Sequence, residues 1–369
     1  MDDVVWKLEP ATAAKHRLYR RYLAAWWAKL LQPNAKGYKQ PRVTYVDAFA
    51  GPGLYLGGQE GSPLFVLDEL LNHAAIDRMD LRRERVTLIF IERERARFEY
   101  LRDALHQKFG PLNALPVTVD IRLGDAATMT TQTLDESRAW GFPMLAVFDS
   151  WGNVAIPLRV VQRIAHSKSG EALVTFGPNW FSRWQAEDPE QLDLVFGGRQ
   201  YWQPADQETR PDERWRAWLE TYRSALKRAG FPYVLDFELV TKTGLPLHLV
   251  HGTGHTAGVD VMKDAMWNVD KSDGLHFRDP RSRGGVPPDQ TSLFDDTDVL
   301  DPELRELVLQ RLQDGPTTIE ALGDWLLLET SRWRRTHGLQ AAQSLVQEGR
   351  VVVHPTGRIT RKSVISAKT

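Results

Sequence analysis

The stretch YVDAFAGPG, Tyr45 to Gly53, decides the fold: an apolar run ends on a carboxylate and turns at once into a glycine-rich loop. RVTYVDAFA (42–50) is rich in β-branched and aromatic residues and reads as a strand. Gly51 and Gly53 let backbone approach a ligand where a Cβ would obstruct it. The carboxylate ahead of them is the informative residue. A diphosphate-binding loop has no use for an acid at that point, and Leu56 stands where the third glycine of G-x-G-x-x-G would fall.

Working outward, six more strand patterns follow: VTLIFIER (86–93), PVTVDIRLGD (116–125), PMLAVFDSWG (143–152), GEALVTF (170–176), YVLDFELVT (233–241) and LPLHLVHGT (245–253). Helical patterns separate the first five strands, notably at 94–109 and 156–167, which predicts a parallel sheet covered on both faces. The last two strands are joined by a few residues and are expected to pair antiparallel. Ahead of the first strand, residues 10–31 set Leu18, Tyr22, Ala25, Trp26 and Lys29 at helical spacing. The expected class is α/β, a doubly wound, mostly parallel seven-stranded sheet of Rossmann-like type.

At 369 residues the chain exceeds what one core usually serves, so a second, smaller unit is expected. Residues 278–300, rich in Pro, Gly, Ser and Asp, read as a linker dividing residues 1–277 from 301–369. The tail carries three short helical patterns and a hairpin pattern, which suggests a winged helix. Between 331 and 369, Arg332, Arg334, Arg335, Arg350, Arg358, Arg361, Lys362 and Lys368 face Glu348 alone. On a helix-turn-helix relative such a face meets nucleic acid, with Arg332, Arg334, Arg335 and Arg358 as the contacts; its other use is protein contact with the basic face solvated.

Composition narrows the chemistry. A net charge of −1 gives no global pull toward nucleic acid or membrane. The absence of cysteine excludes disulfides, thiolate zinc sites and cysteine-ligated clusters in this chain. No His, Asp and Glu cluster has metal-ligand spacing, so no required metal is expected. MDDVVWKLEP has no basic-then-apolar pattern and no apolar run approaches about twenty residues, so a cytoplasmic, membrane-free protein is expected.

In an open parallel sheet, ligands bind beyond the carboxyl ends of the strands. Four successive strands exit on Asp47, Glu92, Asp125 and Asp149. Glu92 suits two ribose hydroxyls, as an acid there does in dinucleotide folds. Asp125 suits an exocyclic amine such as adenine's, and Asp47 a cationic group. S-adenosylmethionine has the sulfonium and ammonium and lacks phosphate, which separates it from NAD. The predicted cofactor contacts are Asp47, Phe49, Gly51, Gly53, Glu92 and Asp125. Each acid also has a purely structural use: a turn cap for Asp47, a helix cap or ion pair for Glu92, an N-cap for Asp125. Lys15 and His16 lie on a helix that folds over such a ligand or is merely structural. His255 and Lys263 are read as surface groups or acceptor contacts.

AKHRLYRRYLAAW, YVDAFAGPGLYLGGQEGSPL, LIFIER, VFDSWG and GHTAGVDVMKDAMWNVD, in that order, resemble the three-Cys-motif partner protein (TcmP) family, and DAFAGPG resembles the first motif of class I S-adenosylmethionine-dependent methyltransferases. The resemblance runs from about Lys7 to the residues around 277. It implies a methyltransferase-like fold, S-adenosylmethionine as cofactor, and association with a separate cysteine-bearing protein resembling radical S-adenosylmethionine enzymes. The family's Asp-Pro-Phe-Gly is replaced here by Asp149-Ser150-Trp151-Gly152. By that resemblance Asp149, Ser150 and Trp151 form the catalytic motif: Asp149 accepts the target amine, Trp151 stacks on a base, and Ser150 lacks the fixed φ of proline. The expected activity is methyl transfer to a nucleic-acid base or another amine. The alternative is a catalytically inactive scaffold that binds the methyl donor or DNA for its partner.

Overall fold

The computed structural model describes residues 4–184, 188–282 and 301–368. In chain order its elements are α1 (Pro10–Leu31), β1 (Val43–Asp47), α2 (Ser62–Leu71), α3 (Ile76–Met79), β2 (Val86–Glu92), α4 (Arg95–Phe109), β3 (Thr118–Leu123), α5 (Ala126–Glu136) and β4 (Met144–Gly152). There follow α6 (Leu158–Ala165), β5 (Gly170–Phe176), α7 (Pro178–Trp184), α8 (Pro189–Phe196), α9 (Arg199–Asp206), α10 (Pro211–Ala229), β6 (Tyr233–Val240), β7 (Pro246–Thr253), α11 (Thr256–Val269) and β8 (His276–Arg278). The tail holds α12 (Pro302–Leu312), β9 (Thr317–Thr318), α13 (Ile319–Glu329), α14 (Arg335–Gln347), β10 (Val351–His354) and β11 (Val364–Ala367).

The main sheet has the order β3-β2-β1-β4-β5-β7-β6-β8. β1 pairs in parallel with both β2 and β4, so the order reverses beside it, and the carboxyl ends of β1 and β4 flank the switch point. β7 pairs antiparallel with β5 and β6, as the short connection requires. The sheet has eight strands where the sequence predicts seven. The extra one, β8, is three residues long and pairs in parallel with β6 through Glu238↔His276 to Val240↔Arg278. It escaped the sequence reading because three residues carry no alternation to detect. Arg278 is thus still paired in the sheet, and the remainder of the predicted linker from 283 to 300 lies outside the described residues.

Both faces of the sheet are covered. On one, α1, α2 and α11 pack over Tyr45, Leu88, Phe90 and Leu249; on the other, α5, α6 and α10 pack over Val46, Ile89, Phe148 and Val174. β1, β2 and β5 are buried along their whole length, which is why they read as unbroken apolar runs.

α1 begins with Pro10 in its first turn, where the missing N–H is no loss. Its buried stripe is pinned to the sheet by polar bonds. The buried Glu171 of β5 accepts from Tyr22 Oη, from Trp26 Nε1 (3.2 Å) and from His251 Nε2 of β7 (2.9 Å). A buried carboxylate left without such donors would be strongly unfavourable, so these bonds fix the height of α1 over the sheet.

The tail packs around its own apolar cluster, including Leu304, Leu322, Leu326, Trp333, Leu345 and Ile365, beside the three-stranded sheet β10-β11-β9. It meets α11 through Lys263, which is fully buried. Lys263 Nζ donates to the carbonyls of Thr330 (2.6 Å), Leu327 (2.7 Å) and Trp333 (2.9 Å), with Leu326 at 3.4 Å. Leu327 and Thr330 lie at the carboxyl end of α13, where the last carbonyls have no partner within the helix, and a cation is the natural group to give them hydrogens; Trp333 lies in the turn that follows. Lys263 is therefore neither a surface group nor an acceptor contact. No helix among the described residues is long and apolar enough to cross a membrane.

Candidate functional site

At the carboxyl ends of β1, β2 and β4 lies a cavity of about 260 Å³. Its wall includes the 48–55 loop, Glu92, Asp125, Asp149 to Trp151, and Lys15 and His16 from α1. The sheet thus brings three of the four strand-exit acids to one rim, and α1 closes over them.

Asp47 is the exception. It is wholly buried behind the loop, with Ser62 Oγ donating to Oδ2 (2.6 Å) and Phe49 N–H to Oδ1 (3.2 Å). Burial, opposed by the Ser62 bond and reinforced by the charge of Asp149, raises its pKa to about 7. Asp47 therefore holds the loop to the start of α2 and is not among the residues that line the cavity, where the sequence reading had set it against a cationic ligand group. Phe49 stays in the cavity wall.

The glycine loop divides in the same way. Gly51 and Gly53 both have positive φ, +64° and +81°, which favours glycine. A Cβ on Gly53 would meet Leu64 and Leu101 at 2.6 and 2.7 Å, so its bareness serves the packing of α2 and α4 rather than ligand approach. A Cβ on Gly51 would meet only Trp6, at 3.7 Å, on the cavity wall. Gly51 N–H donates to Glu92 Oε2 (2.9 Å), while Glu94 N–H donates to Glu92 Oε1 (2.8 Å). Glu92 is thus fixed by backbone and retains lone pairs for further donors. Asp125 is the N-cap of α5: its Oδ1 accepts from Ala127 N–H (3.0 Å) and Thr128 N–H (3.2 Å). Its Oδ2 has no hydrogen-bond partner among the described residues, so the cap and a ligand contact are compatible.

Asp149, Ser150 and Trp151 form an irregularity in β4. Phe148 pairs with Val174 and Gly152 with Phe176, so four steps along β4 match two along β5. Trp151 sits at φ +58°, a left-handed backbone that stores strain of about 1–3 kcal/mol for a bulky residue. Trp151 is 47% exposed; its ring stands edge-on to that of Trp6 at 6.0 Å, and Lys15 Nζ lies over it, 5.8 Å from its centroid. Asp149 is engaged on both oxygens, by Lys15 Nζ on Oδ2 and by Thr175 Oγ1 on Oδ1 (2.7 Å). Burial alone would raise its pKa, but the Lys15 charge and these bonds hold it below the usual carboxylate range. It is a bound anion with its countercharge in place. Ser150 Oγ and Asn153 Oδ1, in the same wall, are buried without a hydrogen-bond partner.

His16 faces the cavity against Tyr55 and Phe65, with Nε2 3.4 Å from Tyr55 Oη. Burial, with the charge of Lys15 behind it, lowers its pKa to about 3, so it is neutral near pH 7. The sequence reading missed Trp6, Ser62, Thr175 and Asn153. Thr175 was detectable as a polar residue within the apolar run GEALVTF; the others lie in loops or helix ends with no pattern to mark them.

Arg332, Arg334 and Arg335 are not on a free face. Arg332 pairs with Asp301 (2.6 Å) and Glu303 (2.8 Å) and lies over Trp333. Arg334 pairs with Asp264 of α11 (3.3 Å) and lies over Trp267, and Arg335 pairs with Asp324 and Asp260. Arg334 and Arg335 thus reach across the seam to α11 through Asp264 and Asp260, while Arg332 is neutralised within the tail and reaches the residues after α11 only by donating to the Ser272 carbonyl (3.2 Å). Arg358 lies in the exposed turn between β10 and β11. His255 Nε2 is 2.9 Å from Ser169 Oγ, just ahead of β5, and His255 is not among the residues that line the cavity at the carboxyl ends of the strands. Asp270, Asp273 and His276 have ligand atoms within 4.8 Å of one another. The Asp270 carboxylate already accepts from Ser272 N–H (3.0 Å) and Oγ (2.5 Å), which gives the group a structural role in its turn.

No family model matches the chain, and no curated protein matches it. Among solved structures it is similar to a spermidine synthase from Thermotoga maritima, with a TM-score of 0.35 and 12% identity over 75% of this chain and 73% of that one. It is similar also to a precorrin-6y C5,15-methyltransferase from Geobacter metallireducens, with a TM-score of 0.30 and 14% identity over 62% and 86%. A SAM-dependent methyltransferase from Methanosarcina mazei gives a TM-score of 0.30 and 15% identity over 60% and 97%.

Proposed function

We propose that the chain binds S-adenosylmethionine in this cavity and transfers its methyl group to an amine. The observation that carries the reading is the bond from Gly51 N–H to Glu92 Oε2. A phosphate-binding loop keeps its N–H groups for the ligand; here the loop donor is taken by a carboxylate, and Asp125 stands beside it. Such a rim repels a diphosphate and accepts hydroxyls and amines. An adenosine carrying positive charge and no phosphate is the matching ligand, with Glu92 for the ribose hydroxyls and Asp125 Oδ2 for the adenine amine. When bound, the sulfonium supplies the methyl group. The residues of this chain hold it, exclude water beneath α1, and present Trp151 to the acceptor.

Isothermal titration with S-adenosylmethionine tests this reading. The wild type is expected to bind it and not NAD, and Glu92→Ala and Asp125→Ala to weaken it. Absence of binding, or tighter binding of NAD, would reject the proposal.

The Lys15–Asp149 pair favours a second reading, in which the acceptor motif is closed and the chain is a non-catalytic subunit. The likeness to the three-Cys-motif partner family supports association with a separate cysteine-bearing protein in either case. In this proposal the tail is a winged helix used for protein contact. The seam arginines are already paired, which disfavours DNA as its ligand. Labelled methyl transfer to amine acceptors separates the two readings, since the subunit reading requires none.

A further inference from the structure

We infer that Arg97 holds the α-carboxylate of the methyl donor, and so makes the cavity selective for S-adenosylmethionine over its decarboxylated form. The inference rests on the methyl-donor reading above and concerns a group of the donor that neither Glu92 nor Asp125 can receive.

Four basic side chains line the cavity: Lys15, His16, Arg93 and Arg97. Three of them are committed. Lys15 is paired with Asp149, and His16 is neutral near pH 7. Arg93 lies mostly in solvent and pairs with Glu94 at 3.4 Å. Arg97 is half-buried, and its side chain has no ion pair or hydrogen bond among the described residues. Helix stability does not explain it either. Arg97 stands in the first turn of α4, at the positive end of the helix dipole, where an acid is favoured and a cation is not.

Trp6 sets the guanidinium in place without occupying its donors. Arg97 Cζ lies over the Trp6 ring, 5.1 Å from its centroid. The Trp6 carbonyl accepts from Leu56 N–H (2.9 Å), and the ring stands edge-on to Tyr55 and Trp151 at 6.1 and 6.0 Å, so it is fixed against the glycine loop. The N–H donors of a guanidinium lie in its plane, and a ring over its face leaves them free for a bidentate bond to a carboxylate. The same Trp6 ring is the nearest group to the missing Cβ of Gly51, whose N–H holds Glu92. Arg97 is thereby set on the same wall as the acid assigned to the ribose.

The charges then match group for group. With the Lys15–Asp149 and Arg93–Glu94 pairs set aside, the wall keeps two carboxylates, Glu92 and Asp125, and one guanidinium. S-adenosylmethionine brings two positive groups and one carboxylate. Glu92 and Asp125 repel that carboxylate, and Arg97 is the one cation in the wall, among the described residues, left to receive it. The decarboxylated donor has the same adenosine, sulfonium and amine but no anion. It would leave Arg97 facing positive charge alone.

The test is calorimetric titration of the wild type, Arg97→Gln and Arg97→Lys with three ligands: S-adenosylmethionine, its decarboxylated form, and 5′-methylthioadenosine, which keeps the adenosine and lacks both the sulfonium and the carboxylate. The wild type is expected to bind S-adenosylmethionine roughly 10- to 100-fold more tightly than the decarboxylated form, the scale of a hydrogen bond between charged groups. Arg97→Gln is expected to erase that preference while binding 5′-methylthioadenosine as the wild type does. Arg97→Lys, which keeps the charge but not the fork, is expected to retain part of it. Equal affinity of the wild type for the two sulfonium compounds, or a preference that survives in Arg97→Gln, overturns the inference and leaves the donor reading intact. An Arg97→Gln variant that weakens all three ligands alike does the same, because Arg97 would then serve only to seat Trp6. A wild type that binds neither sulfonium compound would reject the donor reading and the inference with it.

Discussion

Lys15 of α1 and Asp149 of β4 form an ion pair within the cavity wall, the lysine being only 6% exposed. The pair ties the helix that covers the site to the strand that carries the acceptor motif. Removing one member of a buried pair strands the other, at about 3–5 kcal/mol. Lys15→Met is therefore expected to lose stability on that scale in urea unfolding at pH 7. Combining it with Asp149→Asn, which leaves no charge to strand, is expected to recover most of the loss. Additive losses in the double variant would show that the two residues act separately.

Asp47 and His16 impose opposite pH dependences. Asp47, with a folded pKa of about 7 against an ordinary value near 4, contributes stability that is complete in acid and is lost as pH rises toward 7. His16, lowered to about 3, contributes stability that is complete above its ordinary 6.5 and is lost as pH falls. Between pH 4 and 6.5 the two slopes, each about 1.4 kcal/mol per pH unit, oppose one another in the wild type. Relative to the wild type, Asp47→Asn should gain stability with rising pH across that window, and His16→Gln should lose it. Urea midpoints measured at half-unit intervals check this; difference curves without slope would refute it.

The core of this fold was legible because its strands are buried on both faces. VTLIFIE has no polar interruption, and such a run cannot belong to a half-exposed strand. The strand-exit acids were legible for the same reason: each is the first charge after an apolar run. What could not be read was the direction each carboxylate takes. Asp47 and Glu92 look alike in sequence, yet Ser62, fifteen residues on, draws one behind the loop, while Gly51 and Glu94 hold the other at the rim. Lys15 carried a usable signal. It lies on the stripe of Leu18, Tyr22 and Trp26, and a cation on an apolar stripe requires a buried partner. The pairing of Arg332 and Arg334 was not legible because their acids, Asp264, Asp301 and Glu303, are remote from them in sequence.

Glu92 is expected to govern cofactor affinity through two sets of bonds. Glu92→Gln keeps one acceptor oxygen and replaces the other with a donor that opposes either Gly51 N–H or Glu94 N–H. The loss of a charged acceptor is worth about 1.5–3 kcal/mol, which corresponds to roughly 10- to 150-fold in Kd for S-adenosylmethionine. Calorimetry should find this weakening while the melting temperature shifts by only a few degrees. Unchanged affinity would place the ribose elsewhere.

Lys263 should act as the latch between α11 and the tail. Lys263→Met fills much the same space but gives no hydrogen to the carbonyls of Leu327, Thr330 and Trp333. The expected result is faster amide exchange across residues 326–333, with the strands of the main sheet unaffected, since local opening follows the loss of local bonds. Equal protection in variant and wild type would mean that apolar contacts such as Trp267 on Trp333 suffice alone.

The seam arginines predict a weak, nearly salt-independent response to DNA. A protein that neutralises several phosphates loses affinity steeply with salt, in proportion to the contacts made. Arg332 and Arg334 already face Asp301, Glu303 and Asp264, so engaging phosphate would require breaking those pairs. Duplex titrations between 50 and 200 mM salt, on the order of the range where such slopes are read, should give a slope of less than about two contacts. Arg334→Ala should leave that slope unchanged and instead loosen the seam by under about 1 kcal/mol, because Asp264 is half exposed. A steep slope that Arg334→Ala reduces by about one contact would show that the arginine leaves Asp264 for phosphate, and would restore nucleic acid as the ligand of the tail.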